Sequence, residues 1–486
     1  MSVIIYVQPC AAELRRKRRR GEARKIERRV FINPDVCEGC GDCAVQSNCP
    51  ALNLLETPMG RKRQIDQSMC NGDLTCLEGL CPAFVSVDGQ LSKVSGEIIT
   101  VLPEKEIPQP SPTDLVGPFN IIIAGVGGNG IITLGHILAM AALQEGKGAT
   151  TLNFTGLAQK GGAVISHLRI APSPDDIHAV RLASGGAQVI IGCDMVVAAG
   201  RDALSKIAPG ETRVVVNTHE TIVGDFTRNP DLEFPTDKLE MTIAATAGKD
   251  NVDFVEATRL ATALLGDSIA TNMFMLGFAW QKGTIPLTLD SIHQAIDLNA
   301  VAVDANKRAF LWGRRAAHDL AAVETRAAPV SAAPAADIAT KLEDIVARRI
   351  RFLADYQNEA YARRYKDFVV AVQKAESYVL QDRDDLSRAV ARYYFKLLAY
   401  KDEYEVARLY RNTGFMDKVN QAFEGDFKVN FHLAPPLLAD RNLDTGELEK
   451  KSYGPWMMRA FGVLAKLKGL RGTAFDPFGR SAERRR

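Results

Sequence analysis

Apolar residues in this chain come in short runs, and the spacing within each run predicts its element. Val3-Ile4-Ile5-Tyr6-Val7 is long enough for one buried strand, which must pair with another domain or another chain. Apolar density then falls until Phe119-Asn120-Ile121-Ile122-Ile123-Ala124, a second buried strand, which is followed by a glycine-rich turn and an apolar helix through Leu143. Thr150–Phe154, Gln188–Asp194 and Thr212–Thr218 read as further strands, and Ala257–Leu265 and Ser291–Arg308 as helices. Alternation of this kind predicts an α/β domain with a largely parallel sheet. After a stretch rich in Ala and Pro, helical spacing takes over in Ala360–Val370 and Val390–Tyr410, with Pro435-Pro436 and Gly454-Pro455 as breakers.

The chain therefore divides into five parts. Residues 1–30 are a basic lead segment with one docking strand, 31–110 a loop-rich segment, and 117–325 the α/β domain. Residues 326–338 are an Ala/Pro linker, and 339–486 a mostly helical C-terminal domain. Prolines at 103, 108, 110, 112 and 118 mark a second extended linker ahead of the α/β domain. A hydrophobic fraction of 46% with 24% charged residues is that of a soluble globular protein, and a net charge of +2 gives no pointer to nucleic acid or membrane. Phe119–Leu143 is apolar enough to raise the question of a membrane span. Asn120, Asn129, Thr133, His136 and a cluster of four glycines in its first half interrupt it, and a strand, a turn and a helix explain it better. Arg15–Arg20 forms a block of like charge without interleaved aromatic residues to stack on bases. A solvated linker facing an acidic surface is the plainer reading than a nucleic-acid arm.

The candidate chemistry lies in the loop-rich segment, which holds seven of the nine cysteines. Cys37-x2-Cys40-x2-Cys43 followed by Cys49-Pro50 is a variant of the bacterial ferredoxin run, in which the cysteine before proline ligates the other cluster. On that rule Cys37, Cys40 and Cys43 share one iron–sulfur cluster with Cys81, and Cys49 serves a second with Cys70 and Cys76. In the second group Asp73 stands where the middle thiolate belongs, a harder and weaker ligand for this iron. The second cluster is then an Asp-ligated [4Fe–4S] cube, a three-iron cluster, or absent. The spacers are long, five residues before Cys49 and four before Cys81. Zinc would favour two separated Cys pairs, and disulfides a small secreted domain. Iron–sulfur fits better than either, with folding of the segment coupled to metal. Arg61-Lys62-Arg63 lies between the two cysteine groups, where it would offset thiolate and sulfide charge. Cys10 and Cys193 stand apart, and a cytoplasmic location fits the reduced thiols.

Gly125, Gly127, Gly128 and Gly130 form G-x-G-x-x-G between a strand and a helix, the context in which such a turn can cradle a phosphate. The next strand ends without the Asp or Glu that would hold a ribose, so a nicotinamide or flavin is disfavoured. Another phosphate-bearing ligand and a purely structural turn both remain open. His167 and His219, at strand ends, read as hydrogen-bonded structural histidines.

Three segments in the same order resemble one family. Val36–Cys43 with Cys70-x2-Asp73-x2-Cys76 looks like the ferredoxin segment of indolepyruvate ferredoxin oxidoreductases, members of the 2-oxoacid:ferredoxin oxidoreductases. The glycine turn with Gly156-Leu157-Ala158-Gln159-Lys160-Gly161-Gly162 is similar to that family's gamma-type domain. Tyr400–Tyr410 looks like the C-terminal region of the long fused bacterial form. The resemblance implies a ferredoxin-like iron–sulfur domain, a Rossmann-like gamma-type α/β domain and a helical C-terminal domain. It implies oxidative decarboxylation of an aryl 2-oxo acid to an acyl-CoA, with electrons passed to an external ferredoxin. Carried over residue by residue, Cys37, Cys40, Cys43 and Cys81 hold one cluster, and Cys49, Cys70 and Cys76 with Asp73 the other. No G-D-G thiamine motif is found, and the tail is shorter than the family's. Thiamine diphosphate, Mg and CoA are thus expected through a partner subunit in a hetero-oligomer, and the chain alone is expected to be inactive. It is either a natural split subunit or a gene fragment. The competing classes are a zinc-binding nucleic-acid protein and a nicotinamide-dependent dehydrogenase with its own ferredoxin domain.

Overall fold

The computed structural model describes residues 3, 11–49, 51–91, 107–111, 113–127, 130–155, 162–220, 234–327, 341–380, 383–435, 439–441 and 448–479. Along the chain, β1 (Arg28–Ile32), β2 (Leu52–Leu55), β3 (Lys62–Ile65) and β4 (Phe84–Leu91) come first. The middle holds β5 (Phe119–Val126), β6 (Gly148–Thr155), β7 (Ala163–Ala171), β8 (Val189–Gly192), β9 (Arg213–Asn217) and β10 (Val252–Val255). The end holds β11 (Phe423–Leu433) and β12 (Lys451–Tyr453). Two compact units result: one of the described residues between 107 and 327, the other of those before 92 and after 340. The strand expected over Val3–Val7, apart from Val3, lies outside the described residues, as do Gly128, residues 156–161 and most of the Ala/Pro linker.

The middle unit is built on a six-stranded sheet of order β10-β9-β8-β5-β7-β6. β5, β8, β9 and β10 run parallel, while β7 is antiparallel to both β5 and β6. The sheet is thus mixed, with a parallel half of Rossmann-like form and a hairpin on the other edge. The unbroken apolar run of β5 follows from its central place. Ile121 and Ile123 face a core that includes helix Ile131–Gln144, and Ile122 and Ala124 face a second core on the other side. Each of the three isoleucines is fully buried, which contributes about 1.5–3 kcal/mol apiece. The helix expected over Ser291–Arg308 is two, Leu289–Asn299 and Val303–His318. Ala300 and Ala302 between them have φ of 53° and 47°, a left-handed break that apolar spacing does not reveal. Residues beyond the expected domain edges also belong here: Ile107 is buried, Gln281 donates to the Pro108 carbonyl, and helix Leu320–Ala327 runs past residue 325.

The other unit joins the two ends of the sequence. β1 and β4 pair antiparallel, β11 adds to the far side of β4, and β12 closes the four-stranded sheet. β2 and β3 form a separate two-stranded hairpin. The C-terminal segment is therefore not all helix. Its long strand completes the sheet of the cysteine segment, and one apolar core runs through both, from Val30, Val85 and Val87 to Tyr410, Phe415 and Phe431. Helices Leu342–Tyr356, Glu359–Val379 and Asp385–Leu398 pack on one another around Tyr365 and Phe395. The apolar spacing of Val390–Tyr410 belongs to two helices, because Asp402 starts a new one over Glu403–Asn412 by accepting from the Glu405 N–H at 2.9 Å. Among the described residues no helix is long and apolar enough to cross a membrane.

Candidate functional site

The cysteine segment repeats one pattern twice. β1 leads to Cys37 and Cys40 in a loop, Cys43 on the short helix Asp42–Ser47, then Cys49 and β2. β3 leads to Cys70 in a loop, Cys76 on the single turn Thr75–Leu77, then Cys81 and β4. The first loop is tight. Gly39 has φ of +73°, and a Cβ there would lie 2.1 Å from the Arg61 carbonyl oxygen, so only glycine lets the loop reach β3. The Gly39 N–H donates to the Cys37 Sγ at 3.3 Å.

Burial and mutual repulsion act together on the thiols. Burial pushes Cys43 up to about 12, helped by Cys37, Cys81 and Cys40. Cys81 is pushed up to about 11 by burial, with Cys37 and Cys40 adding repulsion. Burial likewise raises Cys76 to about 12, and its repelling neighbours are Cys49, Cys70 and Asp73, then Cys43. Cys49 is raised by burial, with Asp73 and Cys70 beside it. Cys76 also feels Cys43 of the other set, so these neighbours do not by themselves divide the eight residues into two ligand groups. Among the described residues no three Cys, His, Asp or Glu side chains form a group that could hold a metal ion. Asp73 is exposed, and its Oδ1 accepts from the Thr75 N–H at 3.3 Å and hydroxyl at 3.1 Å, capping the second turn.

The strongest sign of an anionic guest is Arg63. It is 1% exposed, and among the described residues its Nε, Nη1 and Nη2 have no hydrogen-bond partner. Its charge lies in range of Cys43. A buried guanidinium without an acceptor is costly, and anionic thiolates with bridging sulfide would supply one. Lys62 beside it is also buried, donates to the Cys37 carbonyl at 2.7 Å, and is held down to about 8 by burial. The two charges anticipated between the cysteine groups therefore point inward on β3. So do two arginines of the basic block, now on helix Ala11–Arg19: Arg15 donates to the Met69 carbonyl at 2.8 Å and Arg18 to that of Asn71 at 2.8 Å, on either side of Cys70. These contacts are with carbonyls, not with the acidic surface expected. Lys401 and Lys450, by contrast, escape sequence reasoning. Lys401 donates to the Cys37 carbonyl from 364 residues away, and the helix that follows it, Glu403–Asn412, packs into the same core as Cys37.

In the middle unit the glycine turn joins β5 to helix Ile131–Gln144. Gly130 caps that helix with φ of 92°, a left-handed position that favours glycine. A Cβ on Gly125 would meet Ile131 at 2.4 Å and Cys193 at 3.2 Å, so this glycine lets helix and strand pack closely. The Gly127 N–H is bonded to the Gly162 carbonyl at 2.8 Å. Packing and backbone conformation account for these three, and Gly128 lies outside the described residues. His167 Nδ1 accepts from the Leu182 N–H at 3.0 Å, a structural role. A polar network missed from sequence closes the carboxyl end of the parallel strands: Asn217 donates to the Cys193 carbonyl at 3.0 Å and the Thr258 hydroxyl at 2.9 Å. Its position at the end of a buried Val run was the available signal.

Residues 120–316 match the family described as pyruvate ferredoxin/flavodoxin oxidoreductase. The chain is 30% identical over 201 residues to the indolepyruvate oxidoreductase subunit IorB of Methanothermobacter thermautotrophicus, a match that covers 41% of this chain and 97% of that one. The chain belongs to the 2-oxoacid:ferredoxin oxidoreductase family. A second relative of the same name, from Archaeoglobus fulgidus, is 29% identical over 200 residues, covering 40% of this family member and 92% of the relative. The pyruvate oxidoreductase subunit PORC of Thermotoga maritima overlaps 41% of this chain and 96% of its own, at 22% identity and a TM-score of 0.30. Residues 342–486 match a family of unknown function, DUF6537. Outside the α/β domain that the oxidoreductase family model matches, this family member has a unit made of the cysteine segment and the C-terminal segment.

Proposed function

We propose that the chain is the iron–sulfur and gamma-domain part of an indolepyruvate, or related aryl 2-oxo acid, ferredoxin oxidoreductase. Cys37, Cys40, Cys43 and Cys81 would hold one [4Fe–4S] cluster, and Cys49, Cys70 and Cys76 with Asp73 a second, four-iron or three-iron one. The ferredoxin-like cysteine spacing, with the buried Arg63 guanidinium left without an acceptor near Cys43, carries the proposal, and the names of the sequence relatives support the substrate class. The reaction converts one 2-oxo acid anion and one CoA thiol to acyl-CoA, CO2 and one proton, and reduces two ferredoxins by one electron each. Thiamine diphosphate with Mg, held by a partner subunit, supplies the carbanion chemistry, and the clusters supply one-electron carriage. This chain's own residues bury Cys37, Cys70 and Cys76, leave Cys40 at the surface, and would offset thiolate charge with Arg63 and Lys62. We place the protein in the cytoplasm as one subunit of a hetero-oligomer.

The test is co-expression with a thiamine-diphosphate-binding subunit encoded by the same source. The expected outcome is a stable complex that reduces ferredoxin in the presence of indolepyruvate and CoA, while the chain alone does not. Turnover by the isolated chain, or a complex inert to every aryl 2-oxo acid, would contradict the proposal.

A further inference from the structure

We infer that the C-terminal segment, residues 342–486, is a clamp on the cysteine segment whose Lys450 sets the charge felt by both thiol sets. The inference rests on the iron–sulfur reading above and gives a role to a segment whose family has none assigned. Three kinds of contact carry it. The first is backbone: β11 pairs antiparallel with β4, with Val429 opposite Val87 and Phe431 opposite Val85, so it covers a sheet edge that would otherwise be open. The second is packing at the end of the cysteine loops. The Tyr410 ring lies 4.8 Å from Phe415, 5.2 Å from Phe431 and 5.1 Å from Phe461, and its hydroxyl donates to the carbonyl of Pro82, next to Cys81, at 2.8 Å.

The third is charge. Lys401 donates to the Val36 and Cys37 carbonyls at 2.9 and 3.1 Å and pairs with Glu38 at 2.9 Å, which fixes the first loop. Lys450 is held by the Leu77 carbonyl at 3.1 Å and by the Phe84 ring at 5.7 Å. From there its ammonium is in electrostatic range of Cys81 and Cys43 in one set and Cys76 in the other. Reduction adds one negative charge to a cluster, and a fixed cation nearby favours the reduced form. Lys450 is thus a positioning residue for charge, and Lys401 one for loop geometry.

EPR-monitored redox titration of the full chain, with iron and sulfide counted in each sample, tests this. Lys450→Met should lower the midpoint potentials of both clusters. A tenfold loss in each one-electron reduction equilibrium corresponds to about 59 mV. Lys450→Arg should stay near wild type. Lys450→Gln keeps a donor for the Leu77 carbonyl without the charge, and should match Lys450→Met. Lys401→Met should leave the second cluster's potential unchanged while the first cluster loses iron faster to a chelator. Full iron with unchanged potentials in both Lys450→Met and Lys450→Gln would overturn the inference while leaving the iron–sulfur reading intact. A wild-type chain without iron after anaerobic purification would overturn that reading first, and the inference with it.

Discussion

At the scale of single residues, buried charge is where folding and function pull apart. Arg63 has no protein acceptor among the described residues, so in a metal-free chain its burial is a cost. Arg63→Met should leave the cluster-free chain as stable or stabilise it by about 1–3 kcal/mol. The same substitution should lower the first cluster's potential and speed its loss of iron. Denaturant unfolding of the two forms measures the first effect, and chelator kinetics the second. His167 gives a pH signature. Burial, then Lys206 and Arg181, hold it down to about 4 from an ordinary 6.5. Its folded pKa is depressed, so between those values the unfolded chain binds a proton that the folded chain does not, and stability rises with pH. The contribution is complete above about pH 6.5 and is lost as pH falls toward 4. His167→Asn should flatten the dependence of melting temperature on pH across that window, and an unchanged slope would contradict it. Cysteine spacing made the thiols legible as candidate ligands. It did not reveal that Lys62 and Arg63 are buried, since a strand with two adjacent charges reads as exposed.

At the scale of elements, periodicity located helices and strands better than it located their ends. Val189–Gly192, Arg213–Asn217 and Ala257–Leu265 fall where apolar runs place them. The breaks at Ala300–Ala302 and Ala399–Asp402 were invisible because left-handed alanines and a single capping Asp do not interrupt an apolar pattern. Asp402 matters beyond the cap. It is bonded to Arg471 at 2.6 and 3.0 Å, and the guanidinium lies 3.8 Å from the Tyr356 ring centre. Asp402→Ala removes the cap and the carboxylate partner of a part-buried guanidinium, which keeps the Tyr356 carbonyl and Gln357 Oε1 as acceptors, and should cost about 3 kcal/mol in denaturant unfolding. A loss below about 1 kcal/mol, the worth of an exposed pair, would show that the pair is weakly coupled to the fold.

At the scale of the whole molecule, the parallel half of the middle sheet was legible from strand–helix alternation, and the β6–β7 hairpin was not, since strand direction leaves no mark in a hydrophobic run. The union of the two sequence ends was equally hidden. β4 and β11 are separated by over three hundred residues, and neither run announces its partner. Their pairing makes the C-terminal segment part of the cysteine unit, in which lysines from the end of the chain reach loops near its start. On the function proposed above, this unit holds two iron–sulfur clusters. Anaerobic purification followed by iron, sulfide and zinc analysis, with EPR before and after dithionite reduction, tests it most directly. Two clusters require about seven to eight irons per chain, for a three-iron or four-iron second site, with about eight sulfides in either case and a signal from each cluster in its paramagnetic state. Stoichiometric zinc without iron, and no signal in either state, would contradict it.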